Sequence, residues 1–162
     1  MRKDDDDTLL KQSRFILTAL ADPSKLAAVV LKPKQVALYI ENASMPLVID
    51  LTERVSFGRQ SARDPRLAPT VSLNIYDAFS RGVSRVHATM YCENGQPLII
   101  DEYSTNGTWL NGRRLAPMTP TPLTYGNELR LSRLSMLVIT PCAVPLEIIP
   151  FDRDQPQSAP RE

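Results

Sequence analysis

The sequence predicts an all-β fold, an antiparallel sandwich or barrel of short strands preceded by a short helical N-terminal extension. Ten short runs between Val36 and Thr140 read with a period of two, and most connections between them are too short for the crossovers that parallel strands need. Fourteen prolines in 162 residues leave few uninterrupted stretches for helices beyond the N-terminal one. All six glycines lie between Gly58 and Gly126, three of them in the pairs Asn94-Gly95, Asn106-Gly107 and Asn111-Gly112. Asn-Gly is the strongest short hairpin signal, because a type I′ turn requires positive φ at both central residues.

Along the chain, Leu9, Leu10, Ile16, Leu17 and Leu20 fall near one helical face behind the acidic run Asp4 to Asp7, which favours a helix N-terminus. Asp22-Pro23 then reads as an N-cap with proline in the first turn, and Leu26 to Leu31 as a second short helix ended by Pro33. Residues 1–34 are therefore expected to form a helical extension. The predicted strands follow at Val36 to Ile40, Pro46 to Leu51, Arg54 to Gly58, Thr70 to Ile75, Ala88 to Glu93, Pro97 to Asp101, Thr108 to Leu110, Arg113 to Leu115, Glu128 to Leu131 and Ser135 to Thr140. They assign 35–141 to one β domain. Residues 142–162, rich in Pro, Asp, Arg and Gln toward the end, are expected to be a largely disordered tail.

Composition excludes several function classes. Nineteen basic against eighteen acidic residues leave a formal charge of +1, so no global field draws in nucleic acid or an anionic membrane. No apolar run approaches the roughly 20 residues of a membrane span, and Asp4 to Asp7 stand where a secretory signal would carry basic residues before an apolar stretch, which predicts a soluble, cytoplasmic protein. Cys92 and Cys142 form no CxxC arrangement and His87 is the one histidine, so neither a disulfide framework nor a metal site is expected. No cofactor is expected either.

Three segments stand out together: Ser56-Phe57-Gly58-Arg59, Val83-Ser84-Arg85-Val86-His87-Ala88, and Asp101 to Gly112. In each, an apolar strand meets small polar or basic residues at a turn, the usual way a rigid sheet presents a binding site. Arg59 and Arg85 supply guanidinium groups, Ser84 and Thr105 hydroxyls, and Asn106 a carboxamide. Such convergent donors suit a phosphate, which accepts several charge-assisted hydrogen bonds and pairs with a planar guanidinium. Nothing beside them suits phosphate cleavage.

The order Gly-Arg, Ser-Arg-x-His, Asp-x-x-Ser-x-Asn-Gly-Thr-x-x-Asn-Gly, then Tyr125-Gly126-Asn127-Glu128-Leu129, resembles the forkhead-associated (FHA) domain over about residues 35 to 141. The resemblance implies an antiparallel β-sandwich of about eleven strands whose loops bind phosphothreonine peptides without catalysis. It also implies that Arg59 and Ser84 bind the phosphate. Arg85 and Thr105 would line the phosphothreonine pocket, and Asn106 would hold the peptide backbone. His87, Gly58 and Gly107 would support the site, His87 by bracing the Ser84 loop against the Thr105 loop. Threonine is favoured over serine because a small pocket takes the extra methyl. Two departures are visible. The stretch from Arg59 to Ser84 is long, which sets a loop beside the peptide groove, and Asn127 replaces the usual aspartate, a mild change if the position needs positive φ.

Plainer readings compete at several of these residues. The Asn-Gly pairs serve equally as hairpin turns, and His87 as a structural histidine. Ser84, His87 and Asp101 do not form a nucleophilic triad pattern, since no GxSxG elbow is present. Trp109 reads as core packing rather than a base-stacking platform, and Arg63, Arg66, Arg81, Arg113 and Arg114 as solvated charges or a steering rim. The expected function is thus a non-catalytic phosphothreonine-binding adaptor in serine/threonine kinase signalling. Its partner would be a threonine-phosphorylated protein or peptide, with a serine/threonine kinase as a further candidate and neither nucleic acid nor membrane. The alternative is a phosphorylation-independent scaffold that uses the sandwich and the N-terminal helices. Thr8, behind four aspartates, is a candidate intramolecular ligand, although Asp7 or Thr8 would equally cap the helix.

Overall fold

A computed structural model describes residues 30–141. Most of the predicted helical extension, Thr8 and the predicted tail lie outside the described residues. Val30 and Leu31, placed at the end of the second predicted helix, are not helical, and the chain turns through Pro33-Lys34 into the first strand.

Among the described residues, eleven strands form two sheets. The six-stranded sheet has the order β2-β1-β11-β10-β7-β8, from β1 (Gln35–Ile40), β2 (Leu47–Asp50), β7 (Thr108–Leu110), β8 (Arg113–Arg114), β10 (Asn127–Leu131) and β11 (Leu134–Ile139). The five-stranded sheet has the order β4-β3-β5-β6-β9, from β3 (Val55–Gly58), β4 (Val71–Ser72), β5 (Ala88–Glu93), β6 (Gln96–Asp101) and β9 (Thr121–Pro122). Alternation places Val55 and Phe57 of β3 inward and sends Ser56 outward. Between the sheets these side chains meet Leu38, Ile40, Met90, Ile99, Leu129, Leu131 and Met136. Phe57 is fully buried, so truncating it to alanine would cost about 3 to 5 kcal/mol.

The predicted hairpins form at two of the three Asn-Gly pairs. Asn94 and Gly95 (φ 50° and 79°) join β5 to β6, and Asn111 and Gly112 (φ 48° and 78°) join β7 to β8. Asn106-Gly107 does not make a two-residue hairpin: β6 ends at Asp101, and only Gly107 of the pair has positive φ. Its loop is shaped by side-chain bonds instead.

Three expectations about strands need correction. The run Thr70 to Ile75 contributes only Val71–Ser72, because Asn74–Tyr76 winds into a 3-10 turn. This β4 pairs with β3 in parallel, Phe57 opposite Val71, so the sandwich is not wholly antiparallel. The connection 59–70 is long enough for that crossover. Finally, β9 was not anticipated, since two residues ending in proline carry no period; Thr121 and Pro122 pair along the edge of β6.

Trp109 is also not core. Thr108 points inward and is fully buried, so Trp109 lies half-buried on the outer face, with Arg130 across from it and 4.7 Å from its ring centroid. Arg81 is more than a solvated charge. It pairs with Glu41 at 2.9 Å and donates to the Arg133 carbonyl at 3.1 Å, clamping the 80–83 turn to the β10–β11 turn. Among the described residues no helix is long and apolar enough to cross a membrane, and no cluster of His, Cys, Asp or Glu could hold a metal ion.

Candidate functional site

Three loops meet at one end of the sandwich: 59–70 after β3, 73–87 between β4 and β5, and 102–107 between β6 and β7. Each grows from a buried strand end. Phe57 and Ala88 pair across β3 and β5, and the His87 N–H donates to the Phe57 carbonyl at 2.8 Å. Glu102 N–H donates to the His87 carbonyl at 2.9 Å, which ties the third loop to the second.

Gly58 sits where these strand ends converge. A Cβ there would collide with the Arg85 carbonyl and lie 2.8 Å from the Ser84 carbonyl oxygen. Only glycine lets the two backbones approach this closely. The next residue uses that approach: Arg59 N–H donates to the Ser84 carbonyl at 3.0 Å. The Arg59 guanidinium lies over the Phe79 ring, 5.2 Å from its centroid, within cation–π range.

His87 is fully buried. Its Nδ1 accepts the Ser84 backbone N–H at 3.0 Å, which requires a bare Nδ1, so Nε2 carries the proton and donates to the Gly107 carbonyl at 3.1 Å. Burial lowers the His87 pKa below its ordinary value, while the bond to Gly107 and the nearby Asp101 charge act in the opposite direction. The Gly107 carbonyl uses its second lone pair for the Ser132 N–H at 3.0 Å. The imidazole thus joins the Ser84 loop to the Thr105 loop.

The same two loops meet through side chains. Thr105 N–H donates to Ser84 Oγ at 3.1 Å, and Ser84 Oγ lies 3.5 Å from Thr105 Oγ1. Asn106 Nδ2 donates to the Gly82 carbonyl at 2.9 Å, and the Asn106 carbonyl accepts from Trp109 Nε1 at 3.4 Å. Arg85 is exposed on the outside of this cluster, and its Nη1 lies 3.8 Å from Asp64 Oδ2 in the loop 59–70. That loop is pinned at its far end, where Ser56 Oγ accepts the Thr70 N–H at 2.9 Å.

Asp101, weighed in the sequence only as a triad member, shapes one of these loops. Its buried carboxylate accepts from Ser104 N–H (2.9 Å), Ser104 Oγ (2.5 Å) and Thr108 Oγ1 (2.9 Å), which folds the loop that carries Thr105 and Asn106. The spacing Asp-x-x-Ser-x-x-x-Thr contained this signal. Asp101 does not contact the imidazole through these bonds, and His87 meets Ser84 at its amide rather than its hydroxyl, so no serine relay is assembled. The reason given for Asn127 also changes. Positive φ falls on Gly126, and Asn127 Oδ1 accepts the Thr124 N–H at 2.7 Å, a task an aspartate oxygen would perform equally.

All eight residues singled out in the sequence therefore come together. Arg59, Ser84, Arg85, Thr105 and Asn106 lie on the loops at this end, and Gly58, His87 and Gly107 hold the backbones beneath them. Cations and hydroxyls at one rigid loop cluster can hold an anion through charge-assisted hydrogen bonds.

The sequence pattern of the FHA domain matches residues 55–132. Among solved structures, one from a structural and functional analysis of phosphothreonine-dependent FHA domain interactions is similar, with 24% identity and a TM-score of 0.50, covering 65% of this chain and 96% of that one. The FHA domain of the CT664 protein from Chlamydia trachomatis is similar at 21% identity and a TM-score of 0.50, covering 65% and 97%. So is the MEK1 FHA domain in complex with a HOP1 phosphothreonine peptide, at 20% identity and a TM-score of 0.50, covering 68% and 99%. These likenesses establish the fold. Comparison with curated protein sequences gives no significant match.

Proposed function

We propose that this chain, whose residues 55–132 match the FHA domain pattern, binds threonine-phosphorylated peptides at the loop cluster around Ser84. Arg59 and Ser84 bind the phosphate, Arg85 and Thr105 line the pocket of the phosphothreonine, and Asn106 holds the peptide backbone. The observation that carries this reading is the bracing of the Ser84 loop to the Thr105 loop by the neutral His87, at 3.0 and 3.1 Å. A small anion site gains affinity from donors held in place before the ligand arrives. The Asn106 side chain uses Nδ2 for the Gly82 carbonyl, and its carboxamide oxygen accepts a ligand N–H. The module acts as a non-catalytic adaptor in serine/threonine kinase signalling, in the cytoplasm, where kinases and ATP produce its ligand.

Fluorescence anisotropy with a degenerate phosphothreonine library and its unphosphorylated twin tests the proposal. Binding near micromolar, about −8 kcal/mol, is expected for the phosphorylated set alone. Phosphoserine in place of phosphothreonine should weaken binding by about 0.8 kcal/mol, the contribution of one buried methyl group. Equal binding of phosphorylated and unphosphorylated peptides would instead favour a scaffold that ignores phosphorylation.

A further inference from the structure

We propose that the outer face of the six-stranded sheet, over β1 and β11, is a docking surface for this chain's own N-terminal segment, residues 8–20, which packs there through Leu9, Leu10, Ile16, Leu17 and Leu20. This goes beyond phosphothreonine binding and does not depend on it.

A strand with one face toward the core and the other toward water alternates in burial. In β10, Leu129 and Leu131 are buried between the sheets, whereas Glu128 and Arg130 on the outer face stay partly exposed. Its neighbour β11 does not alternate. Leu134, Met136 and Val138 fill the core, yet the outward Ser135, Leu137 and Ile139 are only 1%, 0% and 6% exposed. Ala37, opposite Ile139 on β1, is 0% exposed as well. Ala37, Leu137 and Ile139 thus make a second apolar cluster, behind the sheet and separate from the main core. Among the described residues the hydrophobic side chains packed against it are Leu31 and Tyr39, both only partly buried. Two side chains do not cover a strip that runs about 14 Å from Ser135 to Ile139.

The flanks give the width of the cover. Val48 of β2, opposite Ala37, is 43% exposed, and Glu128 of β10, opposite Leu137, is partly exposed. Neighbouring strands lie about 4.8 Å apart, so the strip between these flanks is about 10 to 14 Å wide, the diameter of one α-helix with its side chains.

The path of the chain selects the occupant. Leu31 packs on the cluster just before the turn through Pro33-Lys34 into β1, so the residues ahead of it are delivered to this face. Pro141, where the described chain leaves β11, instead lines a groove at the end of the sandwich with Pro33, Pro97, Leu123 and Tyr125. Residues 8–20 carry an apolar stripe at helical spacing and would span about 20 Å as a helix, enough to overlie the strip. Residues 21–30 reach about 33 Å when extended, so the connection to Leu31 imposes no limit. So short a helix is marginal in water by itself, and burying its stripe against the strip stabilises both.

Full-length protein with p-benzoylphenylalanine in place of Leu17 provides the test. On irradiation the probe should crosslink within one chain to residues of β1 or β11, located by mass spectrometry. The same probe at Thr18, turned away from the stripe, should not. Leu10→Asp combined with Leu17→Asp should lower the urea midpoint by about 1 M and raise the fluorescence of an apolar dye, whereas Lys11→Asp with Thr18→Asp should change neither. If the paired leucine substitutions prevent folding, the crosslink decides. A Leu17 probe that reaches neither strand overturns the proposal, and crosslinks that join two chains overturn it in favour of a second copy on this face.

Discussion

His87 Nδ1 accepts the backbone N–H of Ser84 at 3.0 Å, and this single bond determines that the imidazole is neutral. Protonating the ring would set two N–H groups against each other and release the Ser84 loop. Stability should therefore depend on pH through His87. The unfolded histidine takes up its proton near the ordinary 6.5, whereas burial lowers the folded value. Below pH 6.5 the unfolded state binds more protons, so stability falls as pH drops from there toward the folded pKa, and above 6.5 it is unaffected by this group. Urea midpoints without ligand at pH 7.5 and 5.5 should show the drop. His87→Gln should show a smaller one, and equal drops in the two proteins would remove His87 as the source.

Arg59→Ala should weaken phosphopeptide binding by about 2 to 5 kcal/mol, since it truncates one partner of a charge pair. Its guanidinium rests on an exposed ring, so the melting temperature should hardly change. Paired titrations and melts check this; normal binding by the variant would refute the assignment of Arg59 to the phosphate.

Asp64 lies 3.8 Å from Arg85 and competes with any phosphate that Arg85 would bind. Exposed pairs of this kind contribute little, about 0.2 to 1 kcal/mol. Asp64→Asn should accordingly raise phosphopeptide affinity about two- to fivefold. The gain should vanish in an Arg85→Ala background, and a gain of the same size there would trace the effect to general charge instead of this pair.

Asp101→Ala should be the most damaging single change at the site. It leaves the buried Ser104 and Thr108 donors unsatisfied, each at about 1 to 3 kcal/mol. Both stability and peptide affinity should fall, because the loop that presents Thr105 and Asn106 loses its anchor. Denaturant titration beside anisotropy checks the pair, and a variant that is destabilised yet binds with native affinity when folded would separate Asp101 from the site.

Much of this molecule was legible in the residues alone, for reasons that are local. Runs such as Ala88–Glu93 and Thr108–Leu110 have the composition of a pleated surface, and Asn94-Gly95 and Asn111-Gly112 satisfy the dihedral demands of their turns without outside help. The residues that meet at the Ser84 loop cluster were marked by small polar and basic residues where apolar strands meet turns, and by the resemblance of those segments to the FHA pattern. The tertiary structure decided what depends on partners distant in sequence. Thr121–Pro122 becomes a strand only because β6 offers it an edge, and Val71–Ser72 runs parallel to β3 only because the preceding loop crosses over. The chain also gave no local sign that Asp64 would reach Arg85, that Phe79 would lie under Arg59, or that Arg81 would clamp Glu41. Each of these pairs is set by how the two sheets bring separate loops to one end, a long-range arrangement that short-range periodicity does not encode.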